Sequence, residues 1–123
     1  MVFTNSGKQF VAWSLGSDVG KYVNYIGIGD GSGTALVSDV SLVNEINRTE
    51  ITGSPSFTQA RKVTFQADFN SVQMSGLNLT EFGLFDTGSS TGFTGSLWQR
   101  EGFAAESFDG TNELQIISTI EVL

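Results

Sequence analysis

The chain has no cysteine, no histidine, one proline and only six basic residues in 123. Each scarcity removes a class of chemistry. Without thiols there are no disulfides, no thiolate metal sites and no cysteine nucleophile. Without histidine the commonest general base and the commonest zinc ligand are missing, and a Ser-His-Asp triad cannot be built. Six Lys and Arg against thirteen Asp and Glu give a formal net charge of -7, the opposite of the basic footprint that nucleic-acid binding needs. No apolar run approaches the ~18 residues of a membrane-spanning helix. The amino terminus shows no charged segment followed by a long apolar one, so no secretory signal is expected. The N-x-S/T sequons at Asn47 and Asn78 then read as chance matches.

What is present points to β-structure. Fifteen Ser, twelve Thr, fifteen Gly and ten Phe dominate the composition. β-branched and aromatic residues favour pleated, half-buried surfaces. The expectation is a single all-β domain over residues 1–123, an antiparallel β-sandwich or jelly-roll-like barrel, with one short N-terminal helix.

The helix is expected over residues 7–15, where Phe10, Val11, Ser14 and Leu15 share a stripe, with Asn5 or Ser6 as cap and Gly16 as stop. Tyr22 to Ile28 reads as a strand, followed by a glycine-dense turn at 29–34. Residues 35–46 suggest a loop with a short helical turn through Val40, Val43 and Ile46, capped by Ser38 or Asp39. Residues 62–69 alternate strictly, with Val63, Phe65, Ala67 and Phe69 on one face. In the stretch 77–85, Leu77 and Leu79 have one parity and Phe82 and Leu84 the other. Either a bulge near Thr80–Glu81 reconciles them or both faces are buried. Further strands are expected over 96–103 and 112–123, the last apolar enough to be paired inside a sheet.

Four possible chemistries were weighed on these residues. Gly27-Ile-Gly-Asp-Gly-Ser-Gly33 fails the G-x-G-x-x-G spacing and lacks Gly-Lys-Ser/Thr. It reads instead as a tight turn whose glycines take positive φ. Asp30, Asp39, Asp86 and Asp109 sit in loops, but no EF-hand spacing joins them, and solvated acidic loops are preferred to a calcium site. No spacing selects a glycosidase carboxylate pair, and Trp13 and Trp98 are better placed in a core than on a sugar platform. Finally, Glu45, Arg48, Glu81 and Arg100 lie in apolar context. A charge there either faces outward or is paired when buried, and at least one buried pair is expected among the four. The assignment is therefore no catalytic residue, no metal and no cofactor.

The same residues carry a resemblance. Tyr25-Ile-Gly-Ile-Gly-Asp-Gly-Ser-Gly-Thr is followed by Leu42-Val-Asn-Glu-Ile-Asn-Arg48, then by the alternating strand, Leu79-Thr-Glu-Phe-Gly-Leu-Phe-Asp86 and Gly95-Ser-Leu-Trp-Gln-Arg-Glu-Gly-Phe103. In this order they resemble small structural proteins of tailed bacteriophages, which share a glycine turn, an L-x-x-E-x-x-R element, an E-x-G-L-F strand and an R-x-x-F strand. The resemblance runs from about residue 7 to the end, and each block alone is weak. Asp30 stands where the family turn often has Thr. The motif carries onto Gly27, Gly29, Glu45, Arg48, Glu81, Gly83, Leu84, Phe85 and Arg100, all architectural.

The resemblance implies a non-enzymatic virion protein, a capsid decoration or head-associated protein. A tail, baseplate or fibre adaptor is the alternative, and a carbohydrate-binding host-adhesion module is another. The expected partners are other virion proteins (major capsid or tail and connector proteins) and further copies of the chain. By analogy the homo-oligomer is a trimer. Neither nucleic acid nor membrane is expected as a partner, and the implied location is the virion. Candidate contact residues are Asp30, Ser32 and Thr34 in one loop and Asp86, Ser89 and Thr91 in the other, because loops on a rigid scaffold commonly carry recognition.

Overall fold

A computed structural model describes residues 2–16, 22–57, 59–86 and 95–121. Its elements are β1 (Val2–Phe3), α1 (Asn5–Gly16), β2 (Tyr25–Gly29), β3 (Glu45–Glu50), β4 (Lys62–Phe69), α2 (Ser71–Met74), β5 (Asn78–Phe85), β6 (Leu97–Ser107) and β7 (Leu114–Glu121). The fold is all-β, with antiparallel sheets and a short N-terminal helix. Five strands form one sheet in the order β1-β6-β5-β2-β3, and β4 and β7 form a second. The two sheets enclose Ile26, Ile28, Leu79, Leu84 and Trp98 from one side and Phe65, Ala67, Phe69 and Ile116 from the other. The alternation at 62–69 thus places its apolar parity in the core, as period-2 geometry requires.

Three irregularities decide which side chains reach that core. Between β5 and β6 the register passes from Leu79↔Glu106 to Glu81↔Gly102, so Thr80 is left without a partner. This bulge brings Leu79 and Leu84 to one face despite their opposite parity in sequence. A second shift, between Leu84↔Gln99 and Phe85↔Leu97, skips Trp98. It sends Trp98 to the core and Leu97 to the other face, where Leu97 packs with Leu42 and Phe85. A third, at Ile46, lies in the β2–β3 pairing.

Several local expectations are corrected. The helical turn within 35–46 does not form. Residues 35–44 are irregular and β3 begins at Glu45, because Glu45 and residues 47–50 pair antiparallel with β2. The strand expected from Tyr22 starts only at Tyr25. The strand at 96–103 continues to Ser107.

The helix cap is Thr4, not Asn5 or Ser6. The Thr4 hydroxyl accepts from the Gly7 N–H at 3.1 Å and donates to the Leu97 carbonyl, fastening the helix start to β6. The stripe proposed for α1 does not bury throughout, since Leu15 is 86% exposed and Val11 38%. The helix instead sits close through Gly7, where a Cβ would lie 2.6 Å from the Phe3 ring and 2.7 Å from the Trp98 carbonyl oxygen. The apolar last strand pairs with β4 alone and forms an edge of its sheet among the described residues.

Two outcomes follow. Gly7→Ala should lower unfolding free energy by about 1–3 kcal/mol, the scale of overpacking against backbone, measured by denaturant titration. Asp68 on β4 is held below its ordinary 3.8, mainly by the Gln115 side-chain amide on β7 and then by Thr52. A depressed carboxyl contributes stability above its unfolded value and loses it as pH falls through the folded one. Asp68→Asn should therefore lower the melting midpoint slightly between pH 6 and 8 and leave it little changed once Asp68 is protonated at low pH, which flattens part of the acid decline.

Candidate functional site

The face of the five-stranded sheet turned away from the second sheet carries nearly all the motif residues. Direct cross-strand partners there form two rows. One runs Arg48–Gly27–Gly83–Arg100 across β3, β2, β5 and β6, and the next runs Glu45–Gly29–Glu81–Gly102. Same-face neighbours on adjacent strands lie about 5 Å apart. Long charged side chains can lie flat across the sheet only where the intervening positions have no Cβ.

The glycines meet that demand by space, not by turn geometry. A Cβ on Gly27 would fall 2.5 Å from Glu45 Oε2 and 3.0 Å from the Phe85 ring. On Gly29 it would fall 2.3 Å from the Asn44 carbonyl oxygen and 2.7 Å from Glu81 Oε2, and on Gly31 2.4 Å from Glu81 Oε2. In the run 27–33 only Gly33 has positive φ, at 117°, which corrects the reading of this stretch as a positive-φ turn. Gly27 and Gly29 are strand residues. Gly83 plays the same part for Leu97 and Leu42, which a Cβ would meet at 2.7 and 3.0 Å.

Two buried ion-pair clusters occupy the space. Arg48 is bidentate to Glu45, with Nε and Nη2 each 2.7 Å from a carboxylate oxygen, and its guanidinium carbon lies 3.7 Å from the Phe85 ring centroid. Fork geometry and stacking of this kind suit arginine and not lysine. An i,i+3 pair on a regular strand would point to opposite faces. The irregularity at Ile46 puts Glu45 and Arg48 on the same one.

The second cluster centres on Glu81, which is fully buried. Its Oε1 accepts from Val43 N–H at 2.9 Å and Arg100 Nε at 3.1 Å, and its Oε2 accepts from Gly31 N–H and Asn44 N–H, both at 2.9 Å. A carboxylate offers about four acceptor sites, and all four are taken. Arg100, 1% exposed, continues to Asp39 Oδ2 at 3.1 Å and the Gly33 carbonyl at 3.4 Å. Asp39 in turn accepts from Leu36 N–H at 2.8 Å.

Glu81 and Arg100 thus fold residues 30–44 down over the sheet as a lid, with Leu42 beneath it against Phe85 and Leu97. Of the motif residues, Leu84 alone faces the opposite side, in the inter-sheet core. Sequence reasoning did not find Asp39 and Asn44 as members of the network. Nothing in their spacing marks them, because they meet Arg100 and Glu81 only through the chain reversal.

Glu81 is saturated, and Arg48, Glu45 and Arg100 are paired. Among the described residues no three Asp or Glu side chains are grouped as metal ligands, and no helix is long and apolar enough to cross a membrane.

The contact loops divide. Ser32 and Thr34 are exposed beside the lid, and Asp30 is exposed with Oδ1 accepting from the Asn44 side-chain amide at 2.5 Å. Asp86 differs from these three in being buried. It is 7% exposed and accepts from Ser96 N–H at 2.7 Å, closing the base of the loop that follows it. Ser89 and Thr91 lie outside the described residues. No protein-family model matches the chain, and no curated protein matches it.

Glu81→Ala should cost about 3–5 kcal/mol, the scale of breaking a buried pair, since it removes the partner of Arg100 Nε and of three backbone N–H groups. Glu81→Gln keeps the shape but turns NH2 donors toward other donors, so it should also destabilise by several kcal/mol. A melting midpoint unchanged in both variants would refute the central role given to this carboxylate.

Proposed function

We propose that the protein is a non-enzymatic structural protein of a tailed-phage virion, a capsid decoration or head-associated protein that binds other virion proteins and further copies of itself. The observation that carries this reading is the use of the motif residues. The charged members of the motif are committed to buried contacts, Glu81 and Arg100 holding the lid to the sheet and Arg48 pairing with Glu45 over Phe85, and the glycines leave room for these groups and for Leu97. A motif made of fastenings fits a protein that must stay folded and present surfaces, and it leaves no polar cluster poised for turnover.

The phage resemblance adds the setting. The net charge of -7 suits a position facing away from packaged nucleic acid, since a surface of that sign is repelled by phosphate. Weak single contacts become firm when repeated on a symmetric particle.

Quantitative mass spectrometry of purified particles tests the reading. Copies in the hundreds are expected for a head or tail-tube coat. A count of about three to eighteen would move the protein to a connector, baseplate or fibre position, and absence from particles would overturn the proposal. Titration with soluble glycans should give no binding; saturable binding would favour the host-adhesion alternative.

A further inference from the structure

Two exposed features outside the lid lie at opposite ends of the β4–β7 sheet, and they are complementary. At one end the chain turns back on itself before β4. Ser56 and Thr64 exchange both backbone hydrogen bonds, at 2.9 and 3.0 Å, and the reversal between them presents Phe57, Arg61 and Lys62. Phe57 is 72% exposed, and Arg61 has φ 65°, a left-handed conformation that side chains seldom adopt. Lys62 lies 3.9 Å from Glu121 in an exposed pair. Three of the chain's six basic residues are Arg48, Arg100 and Lys8, the first two buried. With Lys62 paired to Glu121, Arg61 leaves this end with a net positive charge.

At the other end, where β7 begins, an apolar groove of about 300 Å³ opens between β6 and β7. Phe82, Phe103, Phe108 and Ile117 line it, with the carboxylates of Glu101 and Glu106 beside them. Phe103 is 37% and Ile117 59% exposed. An aromatic residue flanked by cations faces one way, and an aromatic groove flanked by anions faces another.

The two cannot meet within one chain. The groove borders residues 114–117 and the turn lies past Ile120, several residues along the same strand at about 3.3 Å each.

We propose that these surfaces bind each other between copies. Phe57 of one copy enters the Phe82–Phe103–Phe108 groove of the next, with Arg61 against Glu101 and Glu106. The occupant is a second copy of this chain because the charges match only in that pairing. Groove against groove brings four carboxylates together, and turn against turn brings the cations together. The contact is heterologous, joining unlike surfaces, and such contacts generate a ring when the rotation closes. It supplies the contact for the self-association proposed above and rests on that part of the reading. Particle copy number tests the reading as a whole, whereas solution assembly tests only this contact, so the two can fail separately.

Sedimentation velocity of the full chain is the experiment. The native protein should sediment as a multiple of 13.2 kDa, dissociating between low and about 0.5 M salt as screening shortens the reach of the charges. Phe57→Ala should weaken association roughly 30-fold or more, the scale of an interface anchor. Arg61→Glu alone, and Glu101→Arg with Glu106→Arg alone, should each be weakened, while an equimolar mixture of these two variants associates again. All the substituted side chains lie at the surface, and unchanged melting midpoints will separate lost contact from lost fold. A monomer at every concentration and salt, an assembly indifferent to Phe57→Ala, or a mixture that fails to recover would each overturn the proposal.

Discussion

A single carboxylate holds the outer face of this protein together. Glu81 sits in the middle of the five-stranded sheet with no exposure to solvent and accepts four hydrogen bonds, three from backbone N–H groups of residues 31, 43 and 44 and one from Arg100. Burying a charge in a sheet is unfavourable unless its partners replace water. Here the replacement is complete, and it couples distant parts of the chain. The donors at 31 and at 43–44 bracket the lid, so the lid cannot lift without removing three of the four hydrogen bonds of the carboxylate and the Asp39 partner of Arg100.

The rest of the geometry follows from making room for that charge and its neighbour. Glycines at 27, 29, 31 and 83 remove the Cβ atoms that would collide with Glu45, Glu81, Phe85 or Leu97. Bulges at Thr80 and Trp98 and the irregularity at Ile46 re-aim whole segments, so that charged residues gather on one face and large apolar ones on the other. The sheet is thereby covered on both sides: by β4 and β7 on the core side, and on the other by a loop with no regular structure of its own.

Such a construction is rigid where the charges are and plain where they are not. The polar interior is consumed by fastening, and what remains for interaction is the surface: the Ser32–Thr34 segment, the turn carrying Phe57 and Arg61, and the groove beside Glu101 and Glu106. A scaffold that commits Arg48 and Arg100 inside and leaves few cations outside has a strongly polarised exterior. In a protein of net charge -7 the place of two cations determines much of the direction in which copies attract.

The sequence by itself determined the class of fold, the strand at 62–69 and the expectation of at least one buried pair among Glu45, Arg48, Glu81 and Arg100, and it left 77–85 open between a bulge and burial of both faces, because alternation and charge in apolar context are local signals. The identity of each pair was not local. Glu45 meets Arg48 on one face only through the strand irregularity at Ile46, and Asp39 and Asn44 join the network only through the reversal of residues 30–44. The role of the glycines was hidden for the same reason. A glycine required for φ and one required for space look alike in sequence, and only the neighbouring strand shows what a Cβ would strike. The exposure of Leu15 and Phe57 and the burial of Asp86 were also settled by tertiary structure, since burial depends on what the rest of the chain places overhead.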